Sequence, residues 1–306
     1  MPPLPIHAHP PNVLVVTSSS PQSTATRGIL LMLTAILLFT LMDATAKGLI
    51  ARYPAPLVIW ARFAGMFVIV TLLLNRRIPA LLHTRFPVLH LWRSASQFGA
   101  TGLFFLALAH IGLAEATALT DINPVLITLG AALFLGESLG PRRIAGVFVA
   151  MCGALIVIRP GMGVFTPAAL LPLGAAVCYT ANALLTRRIG PHEPVWTALF
   201  YAAAFGTIAG AAALPFVWQP IAVADLPRFA LIGVLGTGAQ LCIIRSFSTT
   251  EAAVVAPFAY AGILCATLWG ILFYHEYPDG WTIIGALVIV VAGLYVWHRE
   301  TMAKPQ

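Results

Sequence analysis

Residues 114–158 read AEATALTDINPVLITLGAALFLGESLGPRRIAGVFVAMCGALIVI, and their order of features returns later in the chain. The segment opens on Glu115-Ala116, carries Pro124 inside an apolar run, and closes that run at Phe134-Leu-Gly-Glu137. A turn from Ser138 to Arg143 leads into a second apolar run marked by Gly146 and Gly153. Glu251-Ala252, Pro257, Phe273-Tyr-His-Glu276, the turn Tyr277 to Gly280, Gly285 and Gly293 follow the same order. Two details differ: Pro257 stands closer to its glutamate than Pro124 does, and His275 stands where Gly136 does. A recurring order of features dictates architecture, and here it implies two halves of one design.

Composition names the solvent. Of 306 residues, 59% are hydrophobic and only 9% charged, with a mean hydropathy of +0.91. A soluble domain carries roughly a quarter charged residues, so this chain lacks a water-facing surface. Lipid is the alternative, where a helix needs about 20 mostly apolar residues to span. The net charge of +7 comes from short basic clusters between apolar runs. That is a loop-topology pattern, not a continuous nucleic-acid face. Cys152, Cys178, Cys242 and Cys265 each sit inside an apolar run with no CxxC pair, and read as small buried hydrophobes.

Residues 1–26, rich in Pro, Ser and Thr, are expected to be a disordered N-terminal tail, and 300–306 a C-terminal tail. Between them, spans are expected near 28–50, 55–75, 91–111, 115–136 and 142–159, and again near 167–187, 194–215, 228–247, 251–274 and 280–298. The fold class is an all-α membrane protein of ten transmembrane helices, built as five-helix repeats over 27–160 and 161–299. With both termini cytoplasmic, most of the 17 Lys and Arg residues fall inside, as the positive-inside rule requires. An odd number of spans per half turns the second half upside down. Inverted repeats recur among secondary transporters, with the substrate site near the midplane where the halves meet.

Candidate site residues are polar groups at membrane depth. Asp43 and Lys47 are one helical turn apart in the first span, acid first, which suits an ion pair or a coupling site. An isolated charge at the bilayer centre costs about 2.5–3.5 kcal/mol; a lysine snorkelling to the interface beside its carboxylate would lessen it. Asp121 and Asn123 precede Pro124, which removes a backbone donor and frees a carbonyl one turn back. Lipid tolerates that only beside protein or a cavity. Arg62 would hold a carboxylate or phosphate, or pair with Asp43 or Asp121. Tyr179, Asn182, Gln97, Gln240 and Tyr260 form either helix-to-helix bonds or the polar lining of a pocket. The span-end glutamates and Gly206-xxx-Gly210 read as interface groups and helix packing.

The two copies, with Pro124, Phe134-Leu-Gly-Glu137, Gly146 and Gly153 as their best-defined member, resemble the drug/metabolite transporter superfamily and its EamA-type ten-helix members. The resemblance covers roughly residues 28–298. It implies an inner-membrane carrier working by alternating access on a small polar metabolite; relatives of this type move amino acids, S-adenosylmethionine, riboflavin, sugars or opine-like compounds. No HExxH, GxSxG or P-loop occurs, so no catalytic residue, metal or cofactor is expected. The expected partners are a small-molecule substrate, the lipid bilayer and protons at Asp43 or Asp121, with no nucleic acid. An intramembrane lipid-modifying enzyme, or a permease subunit of a larger complex, is the competing class.

Overall fold

The computed structural model of the chain describes residues 21–74, 84–135, 141–158, 167–189, 193–249 and 256–302. In order, the helices are α1 (Pro21–Ile50), α2 (Ala55–Leu74), α3 (Pro87–Leu108), α4 (Leu113–Thr120), α5 (Asn123–Leu135) and α6 (Pro141–Ile158). The second half holds α7 (Leu170–Ile189), α8 (Val195–Ala211), α9 (Leu226–Thr249), α10 (Ala261–Tyr274) and α11 (Gly280–Met302).

Local chemistry sets the boundaries. α1 starts at Pro21, so the last residues of the expected N-terminal tail are helical, and α11 runs through Met302 into the expected C-terminal one. Pro87 opens α3 at a position whose missing N–H costs nothing. Threonines inside α1 are tolerated because each hydroxyl donates one turn back: Thr34 to Leu30 O at 2.8 Å, Thr40 to Ile36 O at 2.9 Å, Thr45 to Leu41 O at 2.8 Å.

The fourth expected span is two helices. Pro124 cannot donate to Thr120, and the chain turns at Asp121–Ile122 between α4 and α5. The second half interrupts at the corresponding place, where a 3₁₀ turn over Ala256–Tyr260 carries Pro257 into α10. Among the described residues, 4 helical stretches are long and apolar enough to cross a membrane: Thr26–Ile50, Ala55–Leu74, Pro167–Thr186 and Val223–Ser246. Shorter apolar helical stretches run over Phe148–Ile158, Val195–Ala211, Phe258–Tyr274 and Gly280–Tyr295.

Packing pairs exchange when the halves are swapped. α1 lies along α9 as α3 lies along α7; α2 meets α9 as α3 meets α8; α1 meets α10 as α7 meets α5. The pairs α2–α8 and α6–α11 are their own counterparts. Glycine makes the closest crossings. A Cβ on Gly233 would lie 2.9 Å from Gly65 Cα, and one on Gly285 would lie 2.7 Å from Gly153 O. In lipid, where no hydrophobic force draws helices together, such backbone contact is what holds them. Gly206 and Gly210 of α8 face Phe63 and Trp60 of α2.

One core gathers Leu57, Phe63, Phe105, Leu113, Leu199 and Ile232; a second, around α4, α6 and α11, gathers Leu119, Ile122, Val157 and Ile289. The outside is apolar too, with Leu72, Phe148, Ile208 and Val291 exposed. Such a continuous apolar surface fits lipid contact rather than water.

Polar straps mark the two ends. Ser246 at the end of α9 donates to Gly28 O at the start of α1 at 2.7 Å. Glu193, just before α8, accepts from Thr84 Oγ1 at 2.8 Å and Arg85 N at 3.0 Å, just before α3. At the far end of α2, Asp225 accepts from Tyr53 at 3.0 Å, Arg52 at 3.2 Å and Arg228 at 2.9 Å. This buried carboxylate ties the α1–α2 turn to the start of α9.

Candidate functional site

One cavity lies where two helices of each half cross. It is small, and it is lined by Arg62, Phe63 and Met66 of α2, Arg93 and Gln97 of α3, Leu199 and Ala202 of α8, and Gly236, Gln240 and Ile244 of α9. Gly236 lets α9 approach: a Cβ there would meet Met42 Sδ at 2.9 Å and Arg62 Nε at 3.5 Å.

α3 supplies the polar wall. His90, Arg93, Ser94 and Thr101 are all buried, and with Gln97 they recur every three or four residues, so they form one stripe along the helix. Arg62 donates to Thr101 Oγ1, and its guanidinium lies 5.4 Å from the Phe63 ring centre and 5.6 Å from that of Phe105. Arg93 is 4% exposed. It donates to Ala198 O and, at 3.4 Å, to Thr186 Oγ1, while its Nε has no partner. His90 stacks on Tyr201 with ring centres 5.0 Å apart and lies 4.0 Å from Glu193.

A second polar cluster surrounds the break between α4 and α5. Asp121 caps α4; its Oδ2, Asn123 Oδ1, Thr180 Oγ1 and the Tyr260 hydroxyl are all buried without a hydrogen-bond partner. Tyr179 and Tyr260 both lie within the electrostatic reach of the Asp121 carboxylate. Buried polar groups are normally satisfied, which makes this concentration a candidate site. Residues from α4–α5, α7 and the 3₁₀ turn before α10 meet here, which the sequence had only suggested by their separate depths.

The other expected residues divide. Arg62 and Gln240 do line the cavity, with Gln97. Asn182 does not: its Nδ2 donates to Arg93 O at 2.9 Å, strapping α7 to α3. Lys47 does not pair with Asp43. Its ammonium meets Glu276 Oε1 at 2.7 Å and Ile111 O at 2.7 Å, while Glu276 Oε2 accepts from Leu113 N at 3.0 Å. Two partners across the bundle outcompete a carboxylate one turn away on the same helix. Asp43 shares an electrostatic field with Arg62, without an ion pair inside 4.0 Å. Gly136, Glu137 and Glu251 lie outside the described residues. Arg93 was missed because a basic residue near the start of a span reads as a topology signal. The stripe of polar residues at helical spacing was the clue that placed it inward.

No cluster of three or more His, Cys, Asp or Glu that could hold a metal occurs among the described residues. The family model described as the EamA-like transporter family matches this chain twice, over residues 26–159 and 166–297. The chain is 33% identical to a pseudopaline exporter of Pseudomonas aeruginosa over 87% of its own length and 94% of the relative's. It is 29% identical to a riboflavin transporter of Rhizobium johnstonii over 91% and 93%, and 23% identical to an S-adenosylmethionine uptake transporter of Rickettsia bellii over 72% and 76%. A solved crystal structure at 20% identity shares the fold with a TM-score of 0.64, over 91% of this chain and 99% of that one. Two copies of the family's unit, packed through exchangeable helix pairs, place this chain in the EamA-like transporter family of drug/metabolite transporters.

Proposed function

We propose that this chain moves a small polar metabolite across the inner membrane by alternating access, with both termini cytoplasmic and ten spans in two inverted five-helix repeats. The observation that carries the reading is the cavity between α2 and α3 of one half and α8 and α9 of the other. A site shared by both halves opens to alternate sides when they rock against each other.

The end straps support the inversion. α1 starts where α9 ends, at the Gly28–Ser246 bond. α7 ends near the Glu193 strap, where α3 starts, whereas α1 ends near the Arg52–Asp225 strap at the other end of α2. α1 and its counterpart α7 therefore run oppositely, as inverted repeats require. The relatives' names cover pseudopaline, riboflavin and S-adenosylmethionine, which supports an organic metabolite as cargo. The Asp121 cluster is the candidate for coupling, since a buried carboxylate with no cation beside it is suited to taking up a proton or cation during the cycle.

Purified protein in liposomes tests this directly. Wild type is expected to accumulate or exchange a solute unaided, which removes the permease-subunit reading. Asp121→Asn and Asp43→Asn are each expected to slow it by about tenfold or more, equivalent to about 1.4 kcal/mol; full activity in both would remove these residues from the site.

A further inference from the structure

We infer that the cargo bound in the central cavity is an organic oxyanion, a carboxylate or phosphate, gripped by Arg62 and Arg93 together. The inference rests on the transport reading above and names the substrate class of that site. Both arginines line one cavity, and Gln97 and Gln240 are its other polar lining residues. No carboxylate is among the residues that line it. Among the described residues, neither arginine makes an ion pair within 4.0 Å; Asp43 reaches Arg62 only through the longer-range field.

Arg93 decides the matter. At 4% exposure, with its Nε unpartnered, it is a buried cation held by two neutral oxygens. A charge at membrane depth is costly and is kept where it pairs or serves a pathway. A purely structural role would be filled better by an apolar side chain, because replacing buried ions with packed hydrophobes is often neutral or stabilising. The unused donors of a guanidinium fork match the two oxygens of a carboxylate or phosphate. The apolar side, Phe63 and Leu199, would face the carbon skeleton of the ligand, as organic-ligand pockets do.

The test uses the full chain in detergent and in liposomes, with succinate, citrate, glycerol 3-phosphate, riboflavin and choline as probes. Saturable thermal stabilisation is expected from at least one of the three anions and not from riboflavin or choline; whether the carboxylates or the phosphate act identifies the oxyanion. Arg93→Gln is expected to weaken that binding at least tenfold. Arg93→Lys, which keeps the charge and loses the fork, is expected to weaken it less and guards against a misfolded Gln variant. Absence of stabilisation by any anion, or undiminished binding in Arg93→Gln and Arg93→Lys, overturns the inference. Liposomes that move riboflavin or choline without competition from citrate overturn it while leaving the transport reading intact. Stabilisation by citrate in a protein that moves no solute would remove the transport reading and keep the anion site.

Discussion

Single residues carry information here when their chemistry conflicts with their surroundings. Arg93 and Asp121 are such cases, each ionisable, enclosed and short of partners. Lys47 is the opposite: its charge is spent on Glu276 and on Ile111 O, so it clasps α1 to the turn after α10. That turn holds a further conflict. His275 has φ of 55°, and its N–H and that of Glu276 close α10 onto Ile271 O and Gly270 O at 3.2 and 3.0 Å. Glycine suits that backbone, and the first repeat has Gly136 at the corresponding place. For an L-residue the left-handed region costs about 1–2 kcal/mol, against about 0.5–1 kcal/mol for the greater freedom of an unfolded glycine. His275 is exposed and gives up little else, so His275→Gly is expected to raise the melting temperature in detergent by about 2 °C. A fall would mean that the imidazole makes contacts worth more than the backbone strain.

Elements are held by close approach as much as by apolar burial. Where α2 crosses α9, a Cβ on Gly233 would meet Gly65 Cα at 2.9 Å and Gly65 C at 3.2 Å, both backbone atoms that cannot swing aside. Gly102 on α3 has nothing within 4 Å of its Cβ position. The same substitution should therefore have opposite signs at the two sites. Gly233→Ala is expected to destabilise by about 1–3 kcal/mol through overpacking, and to reshape the cavity that Gly236 lines one turn away. Gly102→Ala is expected to stabilise by up to about 1 kcal/mol from helix propensity. Melting curves of the two variants side by side would check this, and a matching sign would refute the crossing geometry. The interruption at Asp121–Ile122 works through the same logic. Pro124 breaks the ladder, and Asp121 at the break lies within electrostatic reach of Tyr179 on α7 and of Tyr260 in the turn before α10.

At the scale of the whole molecule, exchangeable packing pairs are the economical solution for a repeated unit. A half that binds its partner through α1–α9 also binds it through α3–α7, so one surface design serves twice. In the proposed inverted arrangement, the same exchange, turned upside down, would give a cavity that either half can open. It fixes a prediction for topology. Reporter fusions truncated after Glu137 and after Glu276 are expected to report opposite sides of the membrane, cytoplasmic for the first and external for the second. Both reporters on one side would end the inverted-repeat reading.

The sequence by itself determined the solvent, the helical class and the duplication. Those follow from composition, from the length of apolar runs and from the order of Pro, Gly and Glu, all of which act locally along one chain. It also showed where the chain would break, since Pro124 lacks a donor whatever surrounds it. Gln97, Gln240 and Arg62 were legible as inward polar groups for the same reason. Which partner each polar group takes was decided only by tertiary structure. Lys47 had an acid one turn away and a better pair of oxygens from residues 111 and 276, and only helix packing brings those within 2.7 Å. Asn182 looked like a pocket residue and became a strap, while Arg93 looked like a loop-end charge and became a cavity wall. In a bundle whose every face is apolar, sequence periodicity cannot tell a lipid-facing side from a buried one. The crossing of helices from the two halves makes that choice.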